Sequence, residues 1–219
     1  NLEKHGLTMA GLEAEIESGI TPTSLAQGRA WYGEANGFAA SLASKHGVST
    51  EQAAAVISAT SPRTPWPRNK MLADRVLAEH GKYSDLDSQA AAKKIGGTLT
   101  ANMAPAIEIA RGGSIDTHLT GTKRRSFYNN IADPSHSDSV TVDTHMIKAA
   151  RRTSTVGMDA DDGLKFLNAN KAVTNGAGAG YIAIAEATRN VAARKGISAH
   201  EAQAAYWITI AGGKDGVYG

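Results

Sequence analysis

The stretch SVTVDTHMIKAARR, Ser139–Arg152, decides how the chain is read. A β-branched apolar run, Val140, Thr141 and Val142, gives way at Asp143 to an amphipathic helical pattern. Aspartate is among the best N-cap residues, because its carboxylate accepts backbone N–H groups that have no acceptor in a helix's first turn. Asp143 therefore caps a helix and does nothing more, or it caps a helix and also carries a reaction. The residues around it bear on that choice.

Upstream lies LTGTKRRSFYNNI, Leu119–Ile131. Its glycine-containing turn, Leu119-Thr120-Gly121-Thr122-Lys123, opens a helix that starts with three cations, Lys123, Arg124 and Arg125. Backbone N–H groups at a glycine turn and a helix start favour an anion, and cations beside them strengthen the preference. The structural alternative is a solvated basic helix start. Lys148, Arg151 and Arg152 lie on the helix after Asp143, where they face either phosphates or water.

Further out, helical patterning covers most of the chain. Residues 1–20 read as a short amphipathic helix and Ser24–His46 as a longer one, stopped by Gly47. Ser49–Gln52 (STEQ) is a capping box that opens the apolar run AAAVISAT. Pro62, Pro65 and Pro67 then break the helix, which resumes at about Asn69 and runs to His80. YSDLDSQAAAKKIGG and ANMAPAIEIARGG read as two more helices. Residues 153–179 form a connection with a short helix near Asp161–Asn168. GYIAIAEATRNVAARKG is periodic and ends at Gly196, Ser198–Glu201 (SAHE) is a second capping box, and AQAAYWITIAGG closes the core with Tyr206 and Trp207. The expected class is all-α, with about ten helices.

Composition agrees. The chain has 219 residues, 42% hydrophobic but only 5% aromatic, so its apolar surface comes from small and aliphatic side chains suited to closely packed helices. It has no cysteine, which excludes disulfides, thiolate zinc sites and cysteine-held clusters. The seven histidines show no pair at ligand spacing, so no metal and no cofactor is expected. No apolar run reaches membrane-spanning length. The first residues, NLEKHGLTMAGLEAEIES, carry acids and no apolar core, so no export signal is expected and the cytoplasm is the expected location. A net charge of +2 permits a nucleic-acid partner without requiring one.

Leu119, Gly121 and Arg124, followed by Val142-Asp143-Thr144-His145, resemble the helix–hairpin–helix DNA glycosylases. Their shared segment runs Leu-Pro-Gly-Val-Gly-Arg-Lys, then a helix, then Val-Asp-Thr-His. Three other stretches resemble the family in order: AVISATSPRTPWPRNK its early helix, ANMAPAIEIA its middle helix, and YWITIAGG its closing helix. The resemblance spans residues 49–213.

It implies a two-lobed all-α glycosylase fold treated as one unit over 1–219. One lobe, about 50–150, would hold the hairpin; the other would combine 1–49 with 151–219. It implies DNA as partner, double-stranded with a flipped base, and Asp143 as the catalytic carboxylate. Gly121, Thr122, Lys123, Arg124, Lys148 and Arg151 would contact DNA, and Thr60, Arg63, Trp66 and Arg68 would line the base pocket or act as the wedge. Arg125 stands where strand-cleaving members carry their lysine. A guanidinium stays protonated and is no nucleophile, so a monofunctional hydrolase is expected, with Lys123 as the fallback nucleophile. Two positions depart from the family pattern. Lys123 replaces the hairpin's second glycine, which predicts an altered turn. Phe127 replaces a small residue, which predicts a crowded helix contact.

The resemblance leaves two alternatives open. Bacteriophages carry relatives associated with hypermodified thymine, in which Asp143 would act on a hydroxymethyluracil-derived base. A catalytically dead DNA-binding module of the same fold is the other.

Overall fold

The computed structural model describes residues 2–169, 171 and 177–212. Among them it contains only helices and connections: α1 (Met9–Ser18), α2 (Pro22–His46), α3 (Thr50–Thr60), α4 (Trp66–Glu79), α5 (Ser88–Ile95), α6 (Thr100–Ala110), α7 (Ile115–His118), α8 (Thr122–Ala132), α9 (Ile147–Thr153), α10 (Ala160–Asn168), α11 (Ala179–Lys195) and α12 (Ala199–Ile210). The protein is all-α, and the connection expected over 153–179 contains α10 where the short helix was read. Two compact units divide the described residues. The first comprises those up to Tyr32, Gly121–Lys123 and those from His136 onward; the second comprises Gly33–Thr120 and Arg124–Ser135. These boundaries fall inside α2 and α8.

The second unit is organised by α3, α4, α5 and α6. In α3 every residue from Ala53 to Thr60 is buried, so beyond its first turn the helix has no solvent face, and it packs on α4 and α6. α3 packs on α6, both helices carry buried alanines, and Ile57, Ile107 and Ile109 are fully buried. Each such isoleucine contributes roughly 2 kcal/mol by leaving water. Pro105 sits inside α6 and deprives the Ala101 carbonyl of its N–H partner. Ala101 itself is exposed.

Two expectations about helix starts are corrected here. α4 begins at Trp66, with Pro65 as its N-cap and Pro67 in the first turn, rather than near Asn69. First-turn N–H groups have no intrahelical acceptor, so a proline there sacrifices no bond. The STEQ sequence forms only half a capping box. Ser49 accepts the Gln52 N–H at 3.0 Å, but the Gln52 amide donates to the carbonyls of Ile109 (2.7 Å) and Ala110 (3.2 Å). Donating Nε2 to the orphan carbonyls that end α6 turns the Gln52 side chain away from the Ser49 N–H, which Oε1 would accept in a full box. SAHE forms the full box, with Ser198 and Glu201 each bonding the other's backbone.

The first unit packs α1, α9, α10, α11 and α12. Its core joins Leu12 and Ile16, Met146 and Ala149, Phe166, Ile184 and Tyr206. Gly28, near the start of α2, is required for close approach: a Cβ there would lie 2.7 Å from the Ala205 backbone nitrogen on α12. Arg194 ties α11 to α1 by reaching Glu13 at 2.6 Å and Glu17 at 3.3 Å.

Candidate functional site

The β-branched run before Asp143 does not join a sheet. Val140, Thr141 and Val142 are buried, and a side chain meets two of their backbone groups. The Tyr181 hydroxyl on α11 donates to the Val140 carbonyl at 2.6 Å and accepts the Val142 N–H at 3.2 Å. The adjoining buried Tyr32 donates its hydroxyl to Gln203 Oε1 at 2.7 Å.

The chain turns after Val142, and Asp143 holds the turn. Its Oδ1 accepts the N–H groups of His145 at 2.9 Å and Met146 at 3.0 Å. Its carbonyl accepts the Ile147 N–H at 3.1 Å, at the start of α9. Asp143 therefore fastens a turn that leads into α9 instead of capping a helix that begins immediately. The carboxylate is half-buried, and among the described residues Oδ2 has no hydrogen-bond partner. One oxygen builds the backbone while the other stays available to a ligand.

His145 lies beside Trp207, with ring centroids 6.4 Å apart, and Trp207 packs edge-on to Trp31 at 5.0 Å. His145 Nδ1 and Trp207 Nε1 are buried without a partner among the described residues. Lys123 is exposed and Lys148 half-buried, neither in an ion pair among the described residues, whereas Arg151 donates through Nε to the Met158 carbonyl at 3.3 Å.

Gly121 has φ +90°, the left-handed conformation that lets the chain reverse before α8. Lys123 lies in the first turn of α8 with ordinary helical backbone, so the replaced glycine costs this turn nothing. Thr122 is the first residue of that helix.

The second unit holds the other predicted residues. Arg124 folds back on the turn, donating to Thr120 through Nε (2.9 Å to the carbonyl) and Nη2 (3.3 Å to the hydroxyl). Burial pushes its guanidinium below the ordinary arginine range. Arg125 pairs with Asp116 at 2.6 Å, which removes it from the role of an unpaired phosphate anchor. Phe127 is buried edge-on to Trp66, with centroids 6.5 Å apart. Trp66 also meets Phe38 edge-on at 6.3 Å, and the Lys70 ammonium lies over both rings. Trp66 is thus a half-buried packing residue at the start of α4. Thr60 is fully buried, with its hydroxyl committed to Val56, Ile57 and Asn69, so it offers a base no surface.

Arg63 and Arg68 are exposed. Arg68 donates to the Gly97 carbonyl at 2.5 Å, which places it beside the segment carrying the exposed Leu99. Arg63 has φ +57°, the only non-glycine positive φ among the described residues. The Thr64 N–H bonds the Ser61 carbonyl at 3.1 Å, so Ser61–Thr64 is a turn with Pro62 and Arg63 at its centre. The third position of such a turn ordinarily takes glycine or asparagine. The buried Asn102 holds it by donating to the Pro62 carbonyl at 3.0 Å. An arginine there costs about 1–2 kcal/mol of backbone strain.

Among the described residues no cluster of histidine, aspartate or glutamate is placed to hold a metal, and no helix is long and apolar enough to cross a membrane. Sequence reasoning missed Tyr181, Asp116 and Leu99. Tyr181 lies 41 residues from Val140 in sequence, and no local pattern signals that pairing.

A family of unknown function (DUF7178) matches residues 15–214. No curated protein and no solved structure matches the chain. The match takes in all of α2 to α12 and both units, and the chain therefore belongs to this family, DUF7178.

Proposed function

We propose that the protein is a monofunctional DNA N-glycosylase that hydrolyses the bond between deoxyribose and a modified or damaged base. The observation that carries this reading is the divided carboxylate of Asp143, with Oδ1 fastening the turn and Oδ2 unpartnered among the described residues. Breaking an N-glycosidic bond passes through an oxocarbenium-like state, which a fixed carboxylate stabilises while orienting the attacking water. A carboxylate already held by two backbone N–H groups reaches that role without reorganisation.

An arginine at the position of the strand-cleaving lysine supports hydrolysis over strand cleavage. Arg125 is a guanidinium paired with Asp116 and forms no Schiff base. Lys123 remains the fallback amine, on the exposed first turn of α8. DNA as partner draws support from the second unit, where residues 52–73 contain Arg63, Arg68 and Lys70 and no carboxylate. Exposed Leu99 and Met71 give the same unit apolar surface suited to a disturbed base stack.

The test is release of free base from DNA carrying a panel of damaged and modified bases, read by mass spectrometry, for wild type and Asp143→Asn. Release by wild type alone, leaving abasic sites in intact strands, is the expected result. A strand break with a borohydride-trapped adduct would put Lys123 in play and overturn the hydrolytic assignment. Conversion of a hydroxymethyluracil-derived base within intact DNA, with no base released, would identify a phage-type modification enzyme instead. No release from any substrate, with equal salt-sensitive DNA binding by both proteins, would leave a binding module in place of an enzyme.

A further inference from the structure

Val140, Thr141 and Val142 have strand-like residues but, among the described residues, no neighbouring strand, and a phenol bonds one edge of the run. Tyr181 is 7% exposed, and its hydroxyl both donates to the Val140 carbonyl (2.6 Å) and accepts the Val142 N–H (3.2 Å). A carbonyl and an N–H two residues apart on one edge are what an adjacent strand would engage. One hydroxyl, with a single proton and lone pairs, meets both.

The next residue is Asp143. The direction in which its carboxylate leaves the chain is set by the backbone at Val142, and that backbone is pinned by Tyr181. Val140 and Val142 are each 1% exposed, so no water replaces the phenol if it is lost. Gly180 lets the first turn of α11 approach, because a Cβ there would collide with the Phe166 carbonyl. Tyr32, by contrast, bonds Gln203 at 2.7 Å and meets the side chain of Thr141 at 3.5 Å.

We infer that Tyr181 is a positioning residue for Asp143, and that its hydroxyl stands in for a missing strand and holds the segment that aims the carboxylate. The catalytic side of this inference rests on the proposed glycosylase activity, and its structural side does not.

The experiment compares wild type, Tyr181→Phe and Tyr32→Phe in the full chain. Amide hydrogen exchange is read at Val142, His145 and Met146, with Leu12 and Ile16 of α1 as internal reference. Tyr181→Phe is expected to speed exchange at all three amides tenfold or more relative to the reference. Tyr32→Phe, which also removes a buried hydroxyl, is expected to leave His145 and Met146 unchanged. Faster exchange at Val142 alone would overturn the inference, since Tyr181 would then only satisfy the backbone. Equal effects of the two variants would overturn it as well. In single-turnover base release, Tyr181→Phe is expected to lower the rate tenfold or more at unchanged DNA affinity. A wild type that releases no base refutes the activity, while the exchange readings still decide the positioning. Should Tyr181→Phe fail to fold, fluorotyrosine incorporated in place of tyrosine weakens the hydroxyl as an acceptor and is expected to give the same exchange pattern. Unaltered exchange in the labelled protein would overturn the inference.

Discussion

Replacing Asp143 by asparagine and by alanine separates its two duties. Asparagine keeps an oxygen where Oδ1 accepts from His145 at 2.9 Å and Met146 at 3.0 Å, but it carries no charge. The stability loss is then the negative charge beside the α9 N-terminus, about 0.3–1 kcal/mol. Alanine loses that charge and both acceptor bonds. Met146 is completely buried, so its N–H cannot turn to water, and the further loss is about 1–2 kcal/mol. For a chain of this length the gap between the variants corresponds to about 2–8 °C in melting temperature. Urea unfolding followed by far-ultraviolet circular dichroism measures the difference, with an unchanged m-value showing that the variants unfold from the same compact state. Base release should disappear in both. Asparagine as destabilising as alanine would show that the charge, and not the acceptor geometry, holds the turn. Alanine as stable as wild type would show that Oδ1 does not hold it at all.

Three further predictions follow from single observations. Burial pushes the His200 imidazole below its usual 6.5, outweighing the Ser137 carbonyl and Glu201, which act to raise it. The folded state therefore resists protonating His200, and its stability is complete above pH 6.5 and falls as pH drops below that value. His80 acts in the same sense, through burial first and then Arg111 and His46. Urea midpoints should fall between pH 7.5 and 5, and less steeply in His200→Gln. Arg63→Gly should relieve the strain of φ +57° and, after the entropy cost of glycine, gain about 0.5 kcal/mol. The same variant should lower the salt slope of DNA binding by about 1, and an unchanged slope would remove Arg63 from the interface. Gly121→Ala should cost about 1–2 kcal/mol because φ is +90° there, whereas Lys123→Gly, in a helical first turn, should give no gain. Thermal unfolding of both variants checks the pair.

Local interactions were the legible part of this protein. Ser49, Asp87, Asp159 and Ser198 each accept an N–H three residues ahead, and Gly47, Gly96 and Gly196 take the positive φ that ends a helix. Such signals act over one turn, so the all-α class and most helix limits follow from neighbouring residue types alone. The same reach explains where sequence reasoning misplaced a side chain. Gln52 has the spacing of a capping box, yet its amide goes to Ile109 and Ala110, 57 and 58 residues away. Trp66 and Thr60 carry side chains suited to a base pocket, yet packing draws one into an aromatic cluster and buries the other.

At the candidate site the division is sharpest. The sequence alone determined that an aspartate stands between an extended apolar run and a helix, preceded by a glycine turn and three cations. Only the tertiary structure decided that Asp143 uses one oxygen and leaves the other, that Arg125 pairs with Asp116, and that a tyrosine on α11 bonds both Val140 and Val142. Each of these depends on which of several available polar partners comes within about 3 Å once the helices pack, and that competition is settled by packing between distant segments, not by the order of residues in any one of them.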